Sequence, residues 1–508
     1  MKHSPLLTIL LLAGCSTPPV SPMQGEIDWD AVCKEATVFL QQLVRLDTIN
    51  PPQPDSKKPN ADETSLLSWV QGELKKDGID SQIFESAPGR GNLVARLKGE
   101  TPGKGLLLMA HVDVVNVDKS KWSVDPLSGE IKDGFLWGRG ALDDKGSAMC
   151  FVTALRLVKR TGLKLKRDLV LMLNADEESS GRYGCEYMVK NHWPAIDCDF
   201  AINEGGRIRL EHGKVTSVSP QTAEKIYNDI NLWIRGDSGH SSVPKRNNAL
   251  YSMARALAAL EPFGFPVKLT PTVKEFLEAT APREKGDVAD LMRKAAGGDT
   301  KAAEALAARE PRFNALLRST FVPTIIKGGI RENILPPDVL VNLNLRLLPG
   351  DKLDDAIKTL MDKAGLTRYA IVEPAAGMEW EPAWKAWLED QEKLRRDGKT
   401  EGLYEVAVVV ADRGIDAPAS PLDTAAYNAI RTAAKDLSQD AVFAPMMSTG
   451  ATDSRFLRAK GVACYGLLPL PVTQEDSDSV HNHNERVSIA SISYGVKMTW
   501  RIVEEVNK

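Results

Sequence analysis

The segment LVLMLNADEESSG, residues 169–181, runs from an apolar stretch straight into Asp176, Glu177 and Glu178. Strand ends are ordinarily closed by Gly, Asn or Pro turns. Three adjacent carboxylates repel one another, so acids at the rim of a core point to a cation that they hold. The same residue types recur in short clusters: His111 and Asp113 in AHVDVV, Asp143 and Asp144 in GRGALDDKG, Glu204 in INEGG, and His481 and His483 in VHNHNERV. Imidazole with carboxylate and no thiolate suits Zn2+ or another divalent transition metal. Were Asp143, Glu178 and Glu204 to converge without one, each pair at about 4 Å would cost roughly 4 kcal/mol at an effective dielectric near 20, or about 12 kcal/mol for three pairs. One divalent ion leaves this set negative. Two, bridged by a carboxylate and a hydroxide, bring it to neutrality, and two ions about 3.5–4 Å apart form a hydrolytic centre.

Such a site needs elements that gather residues hundreds of positions apart. From residue 27 onward, Val32, Ala36, Phe39, Leu40 and Leu43 have a helical spacing. LLSWVQGELKKDG predicts a second helix closed by Gly78, and KGSAMCFVTALRLVKRTG a third ending in basic residues and Gly162. GLLLMAHVDVV, RDLVLMLNAD and CDFAINEGG read as buried strands. Alternating helices and continuously apolar strands predict an α/β fold, a mostly parallel sheet covered by helices on both faces. Loops at the carboxyl ends of such strands converge on one crevice. The pattern changes near residue 222, where NDINLWIRG, VPTIIKGGI and VLVNLNLRLLPG alternate with amphipathic helices. This predicts a smaller α+β lid domain inserted over 222–418, with extra helices at about 269–320. The α/β signature returns from about 419, so residues 27–221 and 419–508 are expected to form one domain.

A chain of 508 residues is too long for one core. Its 43% apolar and 26% charged residues are ordinary for a globular protein, and 64 Lys and Arg against 68 Asp and Glu give no basic field for nucleic acid. The start, MKHSPLLTILLLAGCS, has a cationic residue, a short apolar run and small residues before Cys15. That layout is a cleaved signal, too short to span a bilayer, and it is similar to the bacterial lipobox, in which Cys15 is acylated. Residues 16–26 then read as a tether. The expectation is an exported lipoprotein held on the bilayer by acyl chains, on the outer membrane facing the periplasm if the cell is Gram-negative, as Ser16 suggests. The other cysteines, Cys33, Cys150, Cys185, Cys198 and Cys464, are too scattered for a disulfide framework or a thiolate zinc site.

HVDVV, GRGALDDKG, DEE, NEGG and a late His-x-x-Asn-Glu-Arg, in this order, resemble the di-zinc metallopeptidase family of aminoacylase, carnosinase and carboxypeptidase S, over nearly the whole chain after the tether. LLRSTFVPTIIKGGIRENILPPD, NLNLRLLPG and GATDSRFL are similar to its carboxypeptidase S and N-acyl-amino-acid hydrolase branch. The resemblance implies that His111 and Glu204 bind one zinc, that Glu178 and His481 bind the other, and that Asp143 bridges both. Co2+ or Mn2+ fits the same ligands. Spacing from the NER triplet favours His481 over His483. Asp113 would hold the second ring nitrogen of His111, and the Asp143–Asp144 bond would be cis. Glu177 would be the general base that passes a proton from water to the leaving amine. From the lid, His240 would stabilise the oxyanion, Arg346 would clamp a free carboxylate with help from Asn333, and Gly450 would let backbone approach that carboxylate. The expected enzyme cleaves an amide bond next to a free carboxylate, as a carboxypeptidase or dipeptidase does. The alternatives are an N-acyl-amino-acid amidohydrolase and a non-catalytic lipoprotein that binds peptide or metal. The resemblance further implies either a homodimer through the lid or, where the helical insertion at 269–320 replaces or blocks that contact, none.

Overall fold

The computed structural model describes residues 26–51, 61–101, 105–375 and 378–508. Cys15 and nearly all of the tether lie outside them. The larger part is built on an eight-stranded sheet in the order Ser81–Glu85, Gly91–Leu97, Leu169–Asn174, Leu106–His111, Phe200–Asn203, Ala463–Gly466, Gln221–Glu224 and Met446–Ser448. The central four strands run parallel, and antiparallel pairings flank them. The sheet is therefore mixed with a parallel heart, and the α/β expectation holds.

Every residue of LLLMAH and LVLMLN is buried. Successive side chains of a strand point to opposite faces, and both faces here are covered. Leu106, Leu108 and Ala110 pack with the helices Trp29–Arg45, Lys145–Thr161, Ala425–Leu437 and Ile489–Val506. Leu107 and Met109 pack on the other side with Cys185–Asn191 and Ser454–Ala459. The pairing of His111 with Asn174 brings the ends of two central strands level, so the acidic turn begins beside His111.

The smaller part has a five-stranded sheet in the order Thr320–Gly328, Asp338–Leu347, Ile226–Arg235, Val406–Asp412 and Ala370–Val372. Its helices Ala249–Leu260 and Leu353–Lys363 cover one face. Trp380–Arg396 covers part of the other, where Trp384 and Trp387 meet Trp233 edge-on at 5.4 and 5.7 Å. Thr222 to Glu224 still belong to the large sheet, and Lys225 alone separates that strand from Ile226. Helices do fill 271–317, but their apolar faces pack on Ala223 and Met447 at the far edge of the large sheet. Thr272 Oγ1 lies 2.9 Å from Thr222 Oγ1 there. These helices brace the larger part rather than adding to the lid sheet.

Candidate active site

Five segments meet at the carboxyl ends of the central strands. His111 closes Leu106–His111, Glu177 and Glu178 follow Leu169–Asn174, and Glu204 follows Phe200–Asn203. Asp143 sits in the turn before Lys145–Thr161. His481 comes from a loop near the C-terminus, with a left-handed backbone at φ 59°. Glu204 reaches its place because two glycines follow it. A Cβ on Gly205 would stand 1.8 Å from Gln221 Oε1, and one on Gly206 2.1 Å from the carbonyl of Gly466.

Asp143 is the hinge of the constellation. Its Oδ1 lies 3.1 Å from His111 Nε2, and its Oδ2 lies 2.9 Å from His481 Nε2. Glu178 contacts the same nitrogen of His481 at 3.0 Å, while Glu204 lies 4.0 Å from His111 Nε2. His483 makes no contact with these carboxylates; its backbone N–H donates to Asn482 Oδ1. Ligand atoms of His111, Asp143 and Glu178, and of His111, Glu177 and Glu204, fall within 4.8 Å of one another. Tetrahedral ligands about 2.0–2.2 Å from a zinc ion stand about 3.3–3.6 Å apart, which these spacings bracket.

The tautomer of His111 tests the fit further. Its Nδ1 lies 3.0 Å from the backbone carbonyl of Asp113. A carbonyl can only accept, so Nδ1 carries a proton. In the neutral ring Nε2 then aims a lone pair at anionic oxygens, and only a positive charge between them, proton or metal ion, makes that favourable. Asp113 faces this nitrogen with both its carbonyl, at the shorter distance, and its carboxylate. The buried carboxylate stands 3.5 Å from Nδ1. It also accepts from the N–H groups of Glu177 and Glu178 at 3.1 and 3.2 Å, and from Asn50 Nδ2 at 2.9 Å. Asp113 thus fixes the backbone beneath both acids.

Electrostatics describes a crowded anionic centre. Burial pushes Glu177 and Glu204 well above the usual carboxylate range and raises Glu178 as well. Burial also opposes charge on Asp143, but hydrogen bonds from His111 and His481 outweigh it and lower its pKa. Hydrogen bonds to Asp143 and Glu178 push His481 up to about 10. The two rings act here as the cations of the cluster, and divalent ions would take over that role. Among the described residues the Glu177 carboxylate has no hydrogen bond or ion pair, which distinguishes it from its neighbour Glu178. Asp176 belongs to the turn: its φ is 70° and its side chain accepts from Arg90, Asn50, Ser180 and the Tyr183 N–H. The Asp143–Asp144 bond is cis.

A cleft of about 940 Å³ lies between the two parts, lined among others by Arg346, Tyr227, Gly450, Arg455 and Phe456. Arg346 stacks 4.4 Å from the Tyr227 ring centroid and donates to the Thr449 carbonyl at 3.4 Å, beside Gly450. A smaller cavity of about 250 Å³ touches Asp143, Glu204 and Thr452. His240 and Asn333 line neither cleft. Both are exposed, on or beside the two-stranded ribbon that pairs His240 with Ile334. Among the described residues neither makes a hydrogen bond or ion pair with the ligand cluster; His240 Nδ1 lies 2.7 Å from Ser242 Oγ. Motif reading passed over Arg139 and Glu485, Asn50 and Arg90, and the buried Asp453, which accepts from Asn174 at 2.6 Å. The Arg in GRG, the Glu in NER and the Asp in GATDSRF lay within quoted motifs but were given no role there.

Residues 107–505 match the peptidase family M20/M25/M40, more than half of the chain, and the chain belongs to that family. It is a hydrolase of the metallopeptidase and amidohydrolase kind, as the order of its motifs implied. The N-fatty-acyl-amino acid synthase/hydrolase of Homo sapiens is 26% identical over 81% of this chain and 76% of its own length. Carboxypeptidase S of Saccharomyces cerevisiae is 30% identical over 48% of this chain and 45% of its own. Among solved structures, the M20 family metallo-carboxypeptidase Sso-CP2 of Sulfolobus solfataricus superposes with a TM-score of 0.62 at 18% identity. It covers 93% of this chain and 99% of that one, a likeness of fold.

Proposed function

We propose that this chain is a two-metal hydrolase that cleaves an amide bond next to a free carboxylate, in the manner of a carboxypeptidase or dipeptidase. The observation that carries the reading is Asp143, whose two oxygens face two different imidazoles at 3.1 and 2.9 Å. His111 with Glu204 would hold one ion and Glu178 with His481 the other, with Asp143 shared. Bound there, Zn2+, or Co2+ or Mn2+, would polarise the scissile carbonyl and acidify a water.

The chain's own residues supply the rest. Glu177, half-buried and unpaired among the described residues, takes the proton of the attacking water and delivers it to the leaving amine. Asp113 keeps Glu177 and Glu178 in place through their N–H groups. Arg346, already held against Tyr227 and next to Gly450, presents its guanidinium to the substrate's free carboxylate. Movement of the lid carries Asn333 to the same group and His240 to the oxyanion.

Hydrolysis of N-acyl amino acids is the second reading. The match to the human enzyme spans far more of the chain than the match to carboxypeptidase S. The cleft is also near the upper end of the about 300–1,000 Å³ of small-molecule sites, roomy for a dipeptide. A panel of dipeptides, longer peptides and N-acyl amino acids, assayed before and after chelation and after Zn2+ is restored, decides between them. Full turnover in stripped protein would overturn the two-metal reading.

No helix of the described residues is long and apolar enough to cross a membrane. We place the protein on a bilayer, as an exported lipoprotein, through acylation of Cys15, so C15A should move it from the membrane to the soluble fraction. A second copy of the chain is proposed to pair through the lid.

A further inference from the structure

Four buried donors converge on one carboxylate that the reading above leaves without a role. Glu485 is 0% exposed and Arg139 2%. Glu485 Oε1 accepts from the N–H of Leu142 at 2.8 Å and of Asp143 at 3.1 Å. Its Oε2 accepts from the N–H of Gly140 at 3.1 Å and from Arg139 Nη1 at 2.7 Å. The other arm of the guanidinium, Nη2, donates at 2.7 Å to the carbonyl of Asn482, the residue after His481. One ion pair therefore grips both the turn that carries Asp143 and the loop that carries His481.

Holding the fold together does not account for these contacts. The strand Arg486–Ser488 already pairs in register with Phe135–Trp137, and the Gly138 N–H donates to the Glu485 carbonyl. Apart from the Arg139 guanidinium lying 5.4 Å from the Trp122 ring centroid, what the side chains add falls on the Gly140–Asp143 turn and on Asn482. The loop needs such restraint, because His481 and Asn484 both have a left-handed backbone, at φ 59° and 61°. Left-handed non-glycine residues persist where their surroundings over-determine them. A buried carboxylate is costly unless it is paired and hydrogen-bonded, and here that bonding is spent on backbone one residue from two proposed ligands.

We infer that Arg139 and Glu485 are positioning residues that set Asp143 and His481 as a single unit, so that loss of either side chain weakens cation binding at the site. This rests on the two-metal reading. The test titrates the full chain with Co2+ against a chromogenic chelator and records the visible absorption of bound Co2+, for the wild type, E485Q, R139K and R486A. Arg486 follows Glu485 on the strand Arg486–Ser488 and pairs with Asp476 and Glu475, but touches none of these backbone groups. Both E485Q and R139K should bind Co2+ about 10–100-fold more weakly, with an altered spectrum, as residues behind metal ligands do. R486A should melt earlier yet bind as the wild type. R139K keeps the charge and loses the fork, so it carries the test where E485Q does not fold. A folded E485Q or R139K with wild-type affinity and spectrum would overturn the inference, as would equal weakening by R486A. A wild-type chain that takes up no Co2+ would instead overturn the two-metal reading.

Discussion

Glu177 and Glu178 are adjacent in sequence and share one buttress, yet their surroundings divide their roles. Glu178 is engaged by His481, whereas the Glu177 carboxylate is unpaired among the described residues. E177Q is therefore expected to keep its bound metal and lose about 10²–10⁴-fold in kcat. Metal stoichiometry and turnover measured on the same preparation check this, and unchanged turnover rules out the assignment. A second residue-scale prediction concerns Glu63, fully buried behind Asp113. Arg90 Nη2 lies 3.0 Å from both Glu63 and Asp176, so one guanidinium is divided between two carboxylates. Burial, with Asp113 adding to it, pushes Glu63 up to about 8. Between the unfolded value near 4.5 and about 8, the folded chain holds a proton that the unfolded chain has released. Stability is then lost as pH rises through that window. Gln cannot ionise, so E63Q should melt like the wild type near pH 5 and later than it near pH 8, by on the order of a few kcal/mol. An equal difference at both pH values would refute the assignment.

At the scale of elements, apolar continuity was the most legible signal. LLLMAH and LVLMLN read as buried strands because every residue is apolar apart from the last of each run, and burial on both faces demands that composition. L171A, in the middle of the central strand and 0% exposed, should cost about 2–5 kcal/mol. Urea denaturation monitored by circular dichroism measures it, and a loss under about 1 kcal/mol would show that the sheet relaxes around the gap. The motifs also named residues that do converge, since a strand end followed by acids has few other uses. Partners across the fold were not legible. Nothing near Arg139 indicates that Glu485 will meet it, because a buried pair between distant loops leaves no local spacing. The helices over 271–317 were expected from their Ala-rich amphipathic pattern. That pattern shows that an apolar face exists and not which sheet receives it, and Ala223 and Met447 receive it. His240 illustrates the same limit, since its motif does not encode where the ribbon stands relative to the cluster.

For the whole molecule, the lid sheet presents an open edge on which the proposed pairing of two copies can be tested. Thr320–Gly328 pairs with Asp338–Leu347 along one side and forms the edge of its sheet. Val322, Ile325 and Ile326 on it are 55%, 53% and 61% exposed, and Ile330 just beyond is 81% exposed. An edge strand with bare backbone and β-branched side chains is a template for pairing, and proteins usually cover or charge such an edge. Lys327 is the only charge within this strand. The helices that might have covered it pack on the other part of the molecule. A second copy of the same strand, related by a two-fold axis, would satisfy the open backbone groups and bury the isoleucines against themselves. Replacing Ile326 by Lys puts like charges across that axis and leaves the core of the lid, built from Ile230, Leu343 and Val408 on other strands, untouched. Light scattering of the chain without its first 15 residues should give twice the chain mass for the wild type and a single chain mass for I326K, with melting temperatures within a few degrees of each other. A wild-type monomer at micromolar concentration would refute the pairing, and so would an I326K dimer.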